Sequence, residues 1–219
     1  MPTRLEFQKE MSLLHQEIIR MGAATESAIG DATTALVDLD AARARQVIAG
    51  DDAIDEMERS IDQHCIAIIA RQQPVASDLR DVTSILKLIT DLERIADHAS
   101  DISERILTIC AEENRVAVPH DLVTMMDIAK NMLRGALDAY VNRSEEQASA
   151  IIEMDNKVDE LYERLKNYLI HLMQVDSANV RQMVELLLIC KYVERIADHA
   201  QNVAEWVIYY IQGRMVMHQ

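Results

Sequence analysis

The chain has 219 residues, of which 22 are Lys or Arg and 37 are Asp or Glu, so its formal net charge is −15. This excess of acid argues against nucleic-acid binding, because that affinity comes largely from cationic side chains that neutralise phosphates. It favours binding of cations or of a basic protein partner. Only five glycines and three prolines are present, and the dominant residues are mostly helix formers. The composition therefore predicts an all-α protein.

No segment of the sequence has the pattern of a signal peptide or a membrane span. The start, MPTRLEFQKE, is polar, and the longest apolar runs, such as VELLLIC at 184–190, are much shorter than the roughly 20 residues needed to cross a bilayer. The three cysteines, Cys65, Cys110 and Cys190, lack zinc-type spacing and are expected to be reduced thiols. We expect a soluble, cytoplasmic protein.

Helix breakers and capping residues divide the chain into six helical segments. Asp40, Ser77 and Ser144 are expected N-caps, and Gln147 completes a capping box with Ser144. Helices of this length need neighbours that cover their apolar stripes, which predicts a bundle. The segments run from about Arg4 to Leu39, from Asp40 to Gln72, from Ser77 to Glu113, from Pro119 to Asn142, from Ser144 to the VDSAN stretch at 175–179, and from there nearly to the C-terminus.

The last three helices repeat the first three. GDDAIDEME at 50–58 aligns with MDNKVDELY at 154–162, an offset of 104 that also places Asp40 on Ser144. ERIADHA occurs at 93–99 and again at 194–200, an offset of 101. The difference of three residues falls in a loop, where deletions cost little. We predict two tandem three-helix bundles, residues 1–115 and 116–219, related by pseudo-twofold symmetry.

Acidic residues recur at four-residue spacing on the second and third helices of each half. At about 100° per residue, Glu93, Asp97 and Asp101 share one side of the third helix, whereas Lys87, Arg94 and Arg105 are expected to lie elsewhere on it. Like charges at this spacing repel, and facing rows of carboxylates would be costly without a bridging cation. The candidate metal ligands are Asp51, Asp55, Glu93, Asp97 and Asp101 in the first half, and Asp155, Asp159, Glu194, Asp198 and Asn202 in the second.

The pattern leaves two interpretations open, because acidic residues at this spacing also occur on solvated helix faces. Recurrence of the pattern at matching positions raises the functional interpretation to the same weight as the solvated face. Oxygen ligands suit hard ions such as Mg, Mn, Ca or Fe, and Asn202, which replaces an acid, predicts a weaker second site. His98 and His199 are expected at an interface or in solvent rather than as ligands, and the Glu-x-x-His spacing of di-iron carboxylate bundles is absent from the repeated motif.

Several motifs together resemble the PhoU family, whose members are accessory and regulatory proteins of phosphate transport. They are the twin ERIADHA segments, IIARQQPVASDLR at 68–80 and QNVAEWVIYYIQG at 201–213, on the duplicated architecture. The resemblance implies a non-enzymatic, cytoplasmic protein, commonly a homodimer, that binds metal clusters (Fe, Mn, Mg or Zn) through its E/DxxxD motifs. Those motifs are Asp51/Asp55, Glu93/Asp97/Asp101, Asp155/Asp159 and Glu194/Asp198, with Asn202 as the departure from the pattern.

The resemblance also implies partners and a regulatory role. PhoU-like proteins are thought to link the ATPase subunit of a phosphate ABC transporter to a membrane sensor histidine kinase, and so to restrain the phosphate-starvation response. Contact with the membrane would occur only through these partners. Two alternatives remain: a metal-dependent carboxylate-bundle enzyme (a hydrolase or an oxidase), and a structural helical protein with solvated acidic faces.

Overall fold

A computed structural model describes residues 4–113 and 115–214. All regular secondary structure in these two ranges is helical, which confirms the predicted all-α class with six helices. None of the helices within them is long and apolar enough to cross a membrane. The helices are α1 (Arg4–Asp38), α2 (Ala41–Gln72), α3 (Ser77–Cys110), α4 (His120–Asn142), α5 (Glu145–Val175) and α6 (Val180–Gln212), with one turn of 3₁₀ helix at Ser177–Asn179 before α6.

Two of the three predicted N-caps are confirmed. The carboxylate of Asp40 accepts hydrogen bonds from the backbone N–H groups of Ala42 (2.9 Å) and Arg43 (3.1 Å), and the Ser144 hydroxyl accepts one from the N–H of Gln147. The predicted Ser77 cap is wrong, because Ser77 is already the first helical residue and the cap position before it holds Ala76, at φ 50° and without a side-chain hydrogen bond. The third helix also ends at Cys110 rather than near Glu113.

The six helices pack as two groups of three that share a central seam. Helices α1, α2 and α3 contact one another, as do α4, α5 and α6. The halves meet mainly where α3 packs against α6, with a further contact between α1 and α4. At the second contact, a Cβ atom on Gly22 would lie 2.6 Å from Cδ1 of Leu137, so the absent side chain lets the two helices approach closely. The exact division at residues 115 and 116 stays a prediction.

Helices α3 and α6 run antiparallel across the seam. Asp91 of α3 contacts His199 of α6, with Oδ1 2.8 Å from Nδ1. Seven residues later on α3, the ring of His98 lies 5.6 Å from that of Tyr192, seven residues earlier on α6. These two contacts are related by the offset of 101, as the predicted pseudo-twofold symmetry requires. Both helices bury an apolar face as well, so they carry polar side chains only along defined edges.

A second polar cluster joins the halves at one end of the seam. Asp81 of α3 lies 3.7 Å from His15 of α1, measured from Oδ2 to Nε2, and His15 also contacts the hydroxyl of Tyr140 on α4. Within the described residues, Oδ1 of Asp81 is buried without a hydrogen-bond partner. Burial raises the pKa of Asp81 to about 6, with a smaller contribution from Asp78, and Arg143 opposes the shift.

We expect Asp81→Asn to stabilise the fold at neutral pH. The folded protein holds the Asp81 proton more tightly than the unfolded chain, so this group's contribution to stability is full below about pH 4 and is lost as the pH rises through about 6. A shift of this size corresponds to an order of 2–3 kcal/mol at most. Urea denaturation should therefore show the variant to be more stable than the wild type at pH 7 and nearly equal at pH 4.

The control for this experiment is Asp78→Asn, which removes a carboxylate that pairs with Arg4 near the surface. Because Asp78 makes only a smaller contribution to the raised pKa of Asp81, this variant should gain less stability at pH 7 than Asp81→Asn does. An Asp81→Asn variant that is no more stable than the wild type at pH 7 would contradict the assignment.

Candidate metal centre

Three of the predicted ligands come together between α2 and α3. Asp51 and Asp55 lie one helical turn apart on α2, and Asp97 faces them from α3. Each offers a carboxylate oxygen within 4.8 Å of the other two, and all three side chains are half-buried. Among the described residues of the chain, no other group of three or more Asp, Glu, His or Cys side chains meets this spacing. An all-oxygen donor set of this kind fits a hard divalent cation.

The charges on this group oppose one another. The pKa of Asp51 is raised to about 6, first by burial and then by the carboxylates of Asp97 and Asp55, while a hydrogen bond with Ser100 works in the other direction. Burial also raises the pKa of Glu93, again with Asp97 as the strongest neighbouring charge. The site therefore holds negative charge at a cost that a bound cation would offset.

Two arginines pair with the group from outside, which corrects one expectation. Arg94 does not lie away from the acidic edge of α3: its Nη1 is 2.7 Å from Asp97 and its Nε is 3.3 Å from Glu93. Arg59 of α2 lies 3.2 Å from Asp55. Both arginine side chains are more than half exposed, and exposed pairs of this kind contribute about 0–1 kcal/mol.

The last predicted position of each motif points elsewhere. Asp101 lies with its Oδ2 3.3 Å from Nδ1 of His98, at the edge of the seam between α3 and α6. Its counterpart Asn202 donates a hydrogen bond to Asp91 across the same seam, over 3.2 Å. Both side chains therefore take part in joining the two halves, and the structure does not bring Asp101 into the group of three. His98 and His199 lie at this interface, with ring centres 5.7 Å apart.

The second half brings the matching residues together less closely. Asp155 and Asp159 lie on α5, and Glu194 and Asp198 on α6. Asp159 is exposed, whereas its counterpart Asp55 is half-buried. Burial and Glu194 raise the pKa values of both Asp159 and Asp198. Lys191, which the acidic spacing does not predict as part of the site, lies with its Nζ 2.6 Å from Oε2 of Glu194. An alignment of the two halves could have found it, because the first half has Thr90 at that position.

A groove beside the first site gives access to it. It has a volume of about 260 Å³ and lies between α1 and α2, with Asp51 in its wall. Small residues, including Ala24, Ala28, Gly50 and Ala96, line much of the remainder. Because these side chains are short, solvent ions can approach Asp51 from this side.

The aromatic end of α6 closes the bundle. Tyr210 is buried, and its ring centre lies 5.7 Å from that of Tyr140 on α4. Trp206 and Tyr209 pack edge to face, 5.9 Å apart. Tyr210 thus serves as core at the junction of the two halves.

Fold and site together define a class: a duplicated three-helix protein whose halves each present carboxylates from neighbouring helices. The PhoU domain family matches the chain twice, at residues 18–106 and 122–207. The chain is 40% identical to the phosphate-specific transport system accessory protein PhoU homolog of Clostridium acetobutylicum, over 98% of both proteins. It is 34% identical to the accessory protein PhoU of Escherichia coli strain K12, over 97% of this chain and 88% of that protein.

Solved structures agree with these matches. The crystal structure of PhoU from Pseudomonas aeruginosa superposes with a TM-score of 0.92 at 35% identity, covering 95% of this chain and all of that one. The phosphate transport system regulatory protein PhoU from Streptococcus pneumoniae gives 0.91 at 29% identity, over 97% of this chain and all of the other. The chain belongs to the PhoU family.

We expect Asp51→Asn to raise the stability of the metal-free protein at pH 7. The raised pKa means that the charged carboxylate opposes folding above about pH 6, whereas below about pH 4 it is protonated in both states and the difference vanishes. The amide keeps the shape and an acceptor for Ser100. Thermal unfolding in the presence of a chelator should show a higher midpoint for the variant at pH 7, by about 2–4 °C for each kcal/mol.

Asp52→Asn is a matched control, since Asp52 is the exposed neighbour of Asp51. It should change the midpoint less. Equal effects of the two variants would mean that Asp51 is not under special repulsion.

Proposed function

We propose that this chain is a regulatory accessory protein of a phosphate uptake system. The observation that carries this proposal is the match to the PhoU family in both halves, with relatives aligned over nearly the whole chain. Those relatives are named as accessory or regulatory proteins rather than as enzymes. The proposed role is an adaptor: the protein contacts the ATPase subunit of a phosphate ABC transporter and a sensor histidine kinase, and restrains the phosphate-starvation response when phosphate is plentiful.

The proposed metal site of this adaptor lies between α2 and α3. Asp51, Asp55 and Asp97 would hold the ion, and Glu93 adds negative potential beside them. When bound, a divalent or trivalent ion supplies positive charge that cross-links the carboxylates of the two helices. Among Fe, Mn, Mg and Zn, the absence of His and Cys from the group of three favours the harder ions over Zn.

The ligand residues act mainly by fixing the relative position of α2 and α3. Without compensation, Asp51, Asp55 and Asp97 repel one another across the helix pair. Once neutralised, they keep the two helices in one register, so the outer surface of the first half becomes a rigid platform for a partner. The two partners and a homodimeric state are part of this proposal, and the resemblance to the PhoU family supports them.

We expect Mn²⁺ to raise the thermal unfolding midpoint above that of the chelated protein. A ligand at about 100 times its dissociation constant adds about 2.7 kcal/mol to the free energy of unfolding. This corresponds to a rise of about 5–10 °C in the midpoint for a chain of this size. Asp97→Ala should remove most of this gain, because it deletes the only member of the three that lies on α3. The measurement is calorimetry or fluorescence-monitored melting with and without Mn²⁺.

Asp127→Ala serves as the matched control, since Asp127 is an exposed carboxylate on α4 that lies 3.9 Å from Nζ of Lys130 and is not one of the proposed ligands. It should retain the full metal effect. Retention of the effect in Asp97→Ala would show that the ions bind elsewhere.

The adaptor role predicts direct binding to the two partners. The full chain, immobilised and loaded with Mn²⁺, should retain the transporter ATPase subunit and the cytoplasmic part of the sensor kinase from purified preparations. Asp97→Ala should bind at least one of them more weakly if the helix register matters. Failure to retain either partner would contradict the proposal, and turnover of a phosphate ester by the metal-loaded chain would favour an enzyme instead.

A further inference from the structure

The second acidic helix pair already contains a cation from the chain itself. Nζ of Lys191 lies 2.6 Å from Oε2 of Glu194, and the same ammonium group lies 5.4 Å from the centre of the Tyr162 ring. A carboxylate and an aromatic face thus hold it from two sides. Tyr162 lies on α5 and Lys191 on α6, so the ammonium group connects the two helices that carry the second set of acids.

The first half has neither of these residues. The offset of 101 places Thr90 at the position of Lys191, and the offset of 104 places Glu58 at the position of Tyr162. The hydroxyl of Thr90 donates to the backbone oxygen of Leu86, over 3.1 Å on its own helix. The first helix pair therefore has a carboxylate where the second has an aromatic ring, and a neutral group where the second has an ammonium.

The geometry of the two pairs follows this difference. In the first half, Asp51, Asp55 and Asp97 each offer a carboxylate oxygen within 4.8 Å of the other two, and the cations that pair with them are exposed arginines. In the second half, Nζ of Lys191 lies 2.6 Å from Glu194, and among the described residues no group of three acids reaches the same spacing. The first pair thus gathers carboxylates where the second pairs one of them with an ammonium group.

Arginines do not remove this difference. Arg94 and Arg195 occupy equivalent positions and pair with equivalent aspartates, at 2.7 and 3.4 Å, so they distinguish the halves little. Arg59 has no basic counterpart, but it divides its contacts between Asp55 and the exposed Glu56, and its side chain is 59% exposed. The side chain of Lys191 is 38% exposed, and its partner Glu194 only 15%. Lys191 is therefore more enclosed than Arg59.

We propose that Lys191 is the resident cation of the second acidic helix pair, and that added metal ions bind to the first pair alone. The inference rests on the proposed metal-binding function and narrows it, because the residues of the second half do not fit a metal ion while Lys191 is in place. Helices α5 and α6 are then held together independently of metal, whereas α2 and α3 respond to it. The protein would sense metal through one half only.

The test is the amount of Mn²⁺ bound per chain at pH 7, measured by equilibrium dialysis and titration calorimetry. Asp97→Ala should weaken binding about tenfold or more and leave no second class of sites. Lys191→Thr, which installs the residue of the first half, should add a second class of sites. That second class should persist in the double variant Asp97→Ala/Lys191→Thr.

The reciprocal exchange tests the same point on the first half. Thr90→Lys should weaken Mn²⁺ binding about tenfold or more, because the added ammonium group repels the bound cation. A neighbouring like charge shifts a proton-binding equilibrium by one or more pKa units, which is a factor of ten or more. Lys166→Thr is the matched control: Lys166 also pairs with a glutamate three residues away on its helix, Glu163, and its Nζ lies 5.5 Å from the centre of the same Tyr162 ring. It should leave Mn²⁺ binding unchanged.

Two results would overturn the inference. One is an Asp97→Ala variant, with Lys191 in place, that still binds Mn²⁺ at a full set of sites in the second half. The other is a Lys191→Thr variant that gains no Mn²⁺ in either background. In both cases the proposed function can stand, since the wild type still binds metal.

A wild type that binds no Mn²⁺ would instead remove the metal part of the proposed function. The role of Lys191 is then decided by unfolding in chelator at pH 7 and low salt. There Lys191→Thr should lower the midpoint more than Lys166→Thr does, because it leaves Glu194, Asp159 and Asp198 without their nearest lysine. Equal losses in the two variants would overturn the inference.

Discussion

The packing of α3 against α6 is the constraint on which the rest of the molecule depends. Each of these helices must cover its own half with one face and the opposite half with another, so little of its circumference remains for charge. The acids of the E/DxxxD motif fall on the remaining edge, beside α2 in the first half and α5 in the second. Carboxylates that a solvated helix would spread into water are thereby held against a neighbouring helix. Their mutual repulsion follows from this packing.

The seam itself is built from the ends of the same motifs. Asp91 holds His199 and Asn202 across it, and His98 lies between Asp101 and the ring of Tyr192. The acidic motif of α3 therefore contributes to two places: Asp97 lies with the acids of α2, and Asp101 lies at the seam. The residue that replaces an acid in the second half, Asn202, does so at a position that serves the seam. Its amide donates a hydrogen bond to Asp91, which an ionised carboxylate cannot do.

The duplication provides an internal comparison of two solutions to the same electrostatic problem. The first half keeps Asp51, Asp55 and Asp97 near one another, with Glu93 beside them, and pairs them with exposed arginines. Burial and the neighbouring carboxylates leave Asp51 with a raised pKa. The second half has Tyr162 and Lys191 in place of Glu58 and Thr90, and so includes a cation in its own sequence. In the proposed metal-binding role, this asymmetry would let one half change with an external ion while the other keeps the scaffold fixed.

Much of the fold could be read from the chain, because helix length, capping and repetition are local properties. The Asp40 and Ser144 caps, the six helices and the offsets of 104 and 101 all follow from residues close in sequence. The predicted Ser77 cap is wrong for a local reason as well. The helix begins at Ser77, after Ala76, whose positive φ the sequence does not indicate. The acidic spacing also indicated that Asp51 and Asp55 share one side of α2, since 3.6 residues per turn fix the direction of each side chain about its own helix axis.

The sequence by itself thus determined which residues share an edge of a helix, and that the edge recurs in both halves. Only the tertiary structure decided which of them meet. Asp97 reaches Asp51 and Asp55, Asp101 turns to His98, and Arg94 lies beside the acids rather than away from them. The physical reason is that periodicity sets angles about one axis, whereas the distance between charges on two helices depends on how those helices are rotated and packed, which the buried core of the whole bundle decides.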